Sequence, residues 1–200
     1  MSDERSQPES ESRERRGQSP YTTREKVLRL LWWYLGQPLM RCSFHNWYGF
    51  RAWLLRRFGA SIGRSTRIRP SVRVEQPWNL TIGDNTSVGD RAQLYCLGIV
   101  RLGDHVSISQ NAHICAGTHD HESPRLPLMR PPITIEDDVW IAADAYVGPN
   151  VTIGKGAVLG ARACAYKDLE AGKLYGGNPC RELGERGGSW KNDSKDERGQ

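Results

Sequence analysis

The chain has 200 residues, 38% of them hydrophobic, and a formal net charge of +5 at pH 7. That length suits one domain with tails, and a mild positive charge that is not gathered into an aromatic-interleaved stripe argues against nucleic acid as a partner. No apolar stretch approaches the roughly 20 residues of a spanning helix, and five cysteines with no CxxC pair behind an opening that is no signal peptide point to a reducing cytoplasm with free thiols.

Residues 1–21 are mostly Ser, Glu, Arg and Gln, too polar to offset the entropy of ordering, and are expected to be disordered. Residues 22–59 change character. Apolar residues recur at helical spacing, which predicts one helix from Thr22 to Leu35, capped by Thr22 or Thr23 with Glu25 in its first turn, and a second from about Asn46 to Phe58. Gly36 and Pro38 are expected to divide them. Trp32, Trp33, Trp47, Tyr48 and Trp53 alternate here with Arg24, Lys26, Arg29, Arg41, Arg51, Arg56 and Arg57. Such a segment (22–58) either caps the open end of the fold that follows or docks as a peripheral element on the inner face of a membrane, and the sequence leaves both open.

From Ile62 an aliphatic residue returns every sixth position: Ile62, Ile68, Val74, then Ile82, Val88, Leu94, then Leu102, Ile108, Ile114, then Ile135, Ile141, Val147, and Ile153, Leu159, Ala165. Four residues after each stands a mostly small side chain, with Trp78 and Leu169 as large exceptions, so both members of each unit should point inward. A helix repeats its apolar position at three or four residues and a strand at two, so a sustained six with glycine-rich corners describes a β-solenoid. The fold class is therefore all-β. A parallel β-helix of about five coils is expected over residues 60–170, three short strands per coil, with Gly supplying backbone freedom at the corners. Past Leu169 the period fails, so 171–183 should leave the solenoid and 184–200, again polar, should be disordered.

The one large break in the period is GTHDHESPRLPLMRPP, residues 117–132, which carries His119 and His121. A loop leaving a rigid coil is a good root for a catalytic base, and imidazole takes a proton from a hydroxyl near neutral pH. The plainer reading is an exposed histidine in a polar loop. His105 and His113 fall at corner or outward positions and are expected to be exposed. Cys115 lies between Ile114 and Ala116 within the repeat and is expected to be inert.

The period together with AGTHDHESPRLPL, PITIEDDVWIAADAYVGPNVTIGKGAVLGARACAYKDL and GGNPCREL resembles the hexapeptide-repeat O-acetyltransferases typified by maltose, galactoside and nodulation-factor acetyltransferases. The likeness is greatest to the colanic acid biosynthesis branch and covers about residues 27 to 183, including FGASIGRSTRIRPSVRVEQPWNLTIGD. It implies a left-handed coil, a homotrimer with sites between neighbours, acetyl-CoA as donor without a metal, and a sugar or glycan hydroxyl as acceptor in exopolysaccharide or cell-surface glycan synthesis. It implies His119 as general base, Trp140 as a wall of the acetyl-CoA groove, and Ala142, Ala143 and Ala161 as backbone contacts to the cofactor arm. Lys167 and Arg181 fall on basic positions near its nucleotide end. Where relatives read Val-Thr-Lys-Asp this chain has Ala165-Tyr166-Lys167-Asp168, and around Tyr95 and Cys96 no polar acceptor residue matches. Whether the acceptor is free, nucleotide-linked or lipid-linked stays open. Two other classes compete: a γ-class carbonic anhydrase, which needs a His-x-x-x-x-His pair that His105, His113, His119 and His121 do not form, and a non-catalytic scaffold, which leaves the tail motifs unexplained.

Overall fold

The computed structural model describes residues 21–187, and the tails expected to be disordered fall mostly outside them. The core is a parallel β-helix. Its first-strand sheet stacks Ser61–Ile62, Leu80–Ile82, Val100–Leu102, Ile133–Ile135 and Thr152–Ile153. The second stacks Arg67–Ile68, Ser87–Val88, Ser107–Ile108, Trp140–Ile141 and Val158–Leu159, and the third runs from Arg73–Val74 to Cys164–Ala165. Register is kept from coil to coil, Ile62 opposite Ile82 and Ile82 opposite Leu102. All fifteen positions of the six-residue period are buried. Of the partners four residues on, Trp78 and Thr118 are half-buried instead: Trp78 sits in the 3-10 turn Pro77–Asn79 and Thr118 opens a hairpin.

The corners narrow the expected role of glycine. The left-handed backbone falls on the third residue after the inward aliphatic at most corners; in the first-to-second corner it is Ser65, Asn85, His105 and Asp138, with φ of 55°, 54°, 57° and 60°, and in the last coil Gly156 at 69°. Asn and Asp are among the residues that tolerate that region best. The glycine directly after the aliphatic is required by closeness: a Cβ on Gly83 would lie 2.6 Å from the Gly103 carbonyl carbon and 2.2 Å from an Asp104 oxygen. That oxygen has a purpose. Asp104 Oδ1 accepts from the amide of Asp84 at 2.6 Å, as Asp84 Oδ1 accepts from Arg64 at 2.7 Å and Asp137 Oδ1 from Asp104 at 2.9 Å, so each corner amide is capped by the carboxylate one coil on.

The first coil has no coil above it, and helices fill that place. Helix α1 (Thr23–Leu31) opens with a capping box between Thr22 and Glu25. Contrary to expectation, Gly36 and Pro38 do not end it. A π-helical turn, Trp32–Gly36, passes directly into α2 (Gln37–Arg41), where Pro38 stands in the first turn and needs no N–H partner. Gly36 lies against the Trp32 ring, where a Cβ would come within 2.2 Å of it. The buried Trp32 donates Nε1 to the Val74 carbonyl at 2.7 Å, and Gln37 bridges Val72 and Val74. Helix α3 (Tyr48–Arg57) supplies Arg51, fully buried, whose guanidinium donates to the carbonyls of Ile68 (2.6 Å), Phe44 (2.7 Å) and His45 (2.7 Å) and to Ser43 Oγ (2.8 Å).

At the other end the chain does not leave the solenoid after Leu169. Lys173–Gly176 adds a further parallel rung beside Val158–Leu159, with Tyr175 opposite Leu159 and buried, and Arg181–Glu185 folds back antiparallel on it. The final strand therefore runs past residue 183. Tyr175 follows Leu159 outside the six-residue count, which is why the period conceals this rung.

Replacing Arg51 with Met leaves the Ile68 and His45 carbonyls and the Ser43 hydroxyl without that donor, while the Phe44 carbonyl keeps only the Trp47 amide, and should lower stability by about 3 kcal/mol or more, read as a fall in the urea midpoint at unchanged slope. Lys at 51 should not restore it, since one ammonium cannot reach four acceptors in different directions. Acid should act on the corner carboxylates. The Asp84 carboxyl is held below its usual range, first by the Arg64 amide and then by the Arg64 side chain. A group so depressed contributes stability that is complete above its unfolded pKa and is lost as pH falls through the native one. Stability should therefore decline from about pH 4 downward, and Asp84→Asn should make that decline shallower in acid titrations of the folded state.

Candidate active site

The third coil ends at Cys115, and the chain departs into an antiparallel hairpin with Thr118 opposite Met129 and His119 opposite Leu128. It re-enters at Ile133, opposite Val100. The crossing is tight: a Cβ on Gly98 would lie 2.4 Å from the Pro131 carbonyl oxygen, so only glycine lets the returning chain pass. The loop braces itself with Leu126 N–H to Ser123 O at 2.9 Å and Asp120 N–H to Pro127 O at 3.1 Å, and Arg130 at its base meets Glu25 of α1 at 3.1 Å.

His119 is exposed, and its Nδ1 lies 2.6 Å from the Leu126 carbonyl oxygen. A carbonyl can only accept, so Nδ1 carries the proton and Nε2 of the neutral ring is left as an open acceptor. Leu126 aims that carbonyl from a left-handed backbone at φ 46°, a residue that sequence patterning gave no reason to single out. His121, two residues on, is also exposed. His113 is not exposed as expected: it stacks edge-on between Tyr95 (6.2 Å) and Tyr146 (5.5 Å) on the third-strand face, and burial, then Arg73, lowers its pKa. Its Nε2 is buried without a partner among the described residues. Cys96 is wholly buried, with its thiol pushed up to about 12 by desolvation, so it cannot meet an acceptor. Among the described residues the five cysteines are unpaired, and no cluster of three or more His, Cys, Asp or Glu is placed to hold a metal ion.

Trp140 lies outward on the second-strand sheet between Ser107 and Val158, 46% exposed, its Nε1 donating to Ser109 Oγ at 3.0 Å so that the ring is fixed and its face open. Ala142, Ala143 and Ala161 follow at the corner leading to the third-strand sheet. The register that sets Ile141 opposite Leu159 stacks Ala143 over Ala161, one coil apart. Here the structure separates two neighbours that the sequence treated alike. The Ala142 amide donates to Leu159 O at 2.9 Å within the ladder, whereas the amides of Ala143 and Ala161, and of Gln110 in the coil before, have no partner among the described residues. The contrast with the first corner is chemical: Asp caps the amides there, and Gln or Ala stands at the equivalent place here. Lys167 and Arg181 are exposed near the C-terminal end of the solenoid. Tyr166 is exposed and tilted against Tyr146 at 5.7 Å.

Residues 132–164 match the family model described as bacterial transferase hexapeptide (six repeats). The chain is 44% identical over 156 residues, 78% of its length and 86% of the relative's, to the Escherichia coli K12 protein WcaF, named for acetyl transfer in colanic acid biosynthesis. It is 30% identical over 135 residues, 66% of each chain, to the galactoside O-acetyltransferase of the same strain. In fold it is similar to the hexapeptide-repeat acetyltransferase VCA0836 of Vibrio cholerae, solved with acetyl coenzyme A, at a TM-score of 0.76 and 24% identity over 84% of this chain and 91% of that one. With this repeat, this interrupted coil and a relative of that identity and coverage, the chain belongs to the hexapeptide-repeat acetyltransferases.

Proposed function

We propose that the protein transfers an acetyl group from acetyl-CoA to a hydroxyl of a sugar or glycan, in the synthesis of an exopolysaccharide or other cell-surface glycan, and that His119 is the general base. The observation that carries this is the His119 Nδ1 contact to Leu126 O, which presents Nε2 as a proton acceptor on a loop rooted in the coil.

The corner residues fit the donor. An extended arm of amides needs hydrogen-bond donors at regular spacing, and the open amides of Gln110, Ala143 and Ala161 recur at the coil repeat, about 4.8 Å, beside the exposed face of Trp140. Lys167 and Arg181 supply positive charge for an anionic nucleotide end. Acetyl-CoA would bring the activated acyl group as its thioester. His119 Nε2 removes the acceptor hydroxyl's proton as the oxygen attacks, the Ala143 amide donates to the oxygen on which charge builds, and His119 then returns the proton to the departing thiolate. Ala142 is left with a packing role. No side-chain nucleophile is used.

One chain does not complete this arrangement. His119 leaves the corner between the third and first strand sheets, and the open amides line the corner between the second and third, with the whole Tyr95, His113 and Tyr146 face between them. A homotrimer that sets one copy's loop against the next copy's amide corner joins the two halves, and the free thiols suit the cytoplasm as its place of work.

His119→Ala should lower turnover by about 100-fold or more while acetyl-CoA affinity changes little. His121→Ala should cost less and Cys115→Ala least, all read with labelled acetyl-CoA against a panel of soluble, nucleotide-linked and lipid-linked glycans. A His119→Ala enzyme within a few-fold of the parent would move the base to His121. Sedimentation should give the mass of three chains; a stable monomer with full activity would remove the shared site.

A further inference from the structure

Helix α1 and the turn and helix that follow it face the solenoid with Leu28, Trp32, Gly36 and Met40, and a surface helix of this kind normally turns polar residues outward. This one does not. Val27, Leu30, Leu31, Tyr34, Leu35 and Leu39 recur at helical spacing on the opposite side and are exposed. Phe44, Trp47 and Trp53, linked by ring contacts through Phe50, are exposed as well, so that nine of the fifteen exposed large hydrophobic residues among the described residues fall within Val27–Trp53. A groove of roughly 500 Å³ on this face is lined by Leu30, Trp33 and Tyr34 with Lys26 and Arg29 at its rim. The charge around it has one sign. Arg24, Lys26, Arg41, Arg56 and Arg57 are exposed, while the single acidic residue between 21 and 60, Glu25, is occupied by Thr22 and Arg130.

We propose that this face docks on the surface of a bilayer containing anionic lipid. Leucines and indole rings seat at the boundary between headgroups and acyl chains, and arginines and lysines beside them meet lipid phosphates. A second copy of this chain is the poorer occupant when the same faces meet, since it would set these cations against themselves, whereas an anionic surface neutralises them. The docking orients the site. Glu25 holds Arg130 at the base of the His119 loop and Arg29 holds Glu75 of the first coil at 3.4 Å, so the loop is braced against the very helix that meets the lipid. The last step rests on the acetyltransferase reading above; the docking itself does not.

The test is flotation of the full chain with vesicles of phosphatidylglycerol and phosphatidylcholine, compared with phosphatidylcholine alone. Binding to the anionic vesicles should be at least about tenfold stronger and should weaken as salt is raised. Leu30 and Leu35 are 58% and 55% exposed, so Leu30→Glu with Leu35→Glu should leave the thermal transition in place and abolish flotation. Intact protein that stays off anionic vesicles, or a double variant that floats as well as its parent, overturns the proposal. So does a double variant whose changed property is its sedimentation mass, because the face would then join copies of the chain. Flotation needs no acetyl donor, so its failure would leave the transfer reaction standing, and loss of transfer in His119→Ala would leave flotation unchanged.

Discussion

Everything in this molecule depends on one coil repeating the backbone position of the last. Because Ile62, Ile82 and Leu102 lie in register, each backbone group finds its partner directly one coil on, and no strand needs more than three residues in the regular part of the helix. Coils stacked at strand spacing leave no room for a Cβ after the inward aliphatic, which demands Gly63, Gly83 and Gly103, and they bring each Asp carboxylate onto the amide of the preceding coil. The same stacking carries the opposite result to the next corner. Where alanine stands in place of Asp at 143 and 161, the amides have no partner among the described residues, and they follow one another at the coil spacing without any special side chain.

A stack must also end. The first coil exposes carbonyls that no further coil can satisfy, and the N-terminal helices answer them with side-chain donors from Trp32, Gln37 and Arg51. A buried guanidinium with no carboxylate beside it is unusual, and here the four-way fan of neutral oxygens takes the place of a counterion. The same helices reach the loop of the interrupted coil through Glu25 and Arg130, so the cap and the site share one support. The helix is bound to the solenoid on one face and exposes apolar side chains on the other.

The site follows from where the insertion sits. Leaving after a third strand, it places His119 one full face away from the open amides, so the prism geometry puts the imidazole and the amide row on different edges of the same chain. Within the loop, orientation is set by backbone alone: a left-handed Leu126 turns its carbonyl to Nδ1, and the imidazole needs no carboxylate to select its tautomer.

The six-residue period determined the repeating part of the solenoid core, because each inward aliphatic fills its own coil and its burial depends on position along the chain and little else. The break in that period likewise marked the loop and its histidines. What the period could not carry was anything decided by a neighbour on another coil. Gly36 and Pro38 read as breakers, yet Trp32 packed over Gly36 and a π-helical turn carried the helix through. Tyr175 lies off the count and still completes a rung, because a parallel partner, Leu159, was waiting for it. Ala142 and Ala143 are the same residue side by side, and only the ladder to Leu159 distinguishes an occupied amide from an open one. Local spacing settles which side chains face inward; which polar groups remain to do chemistry is settled by residues about twenty positions away, and that is known only once the coils are stacked.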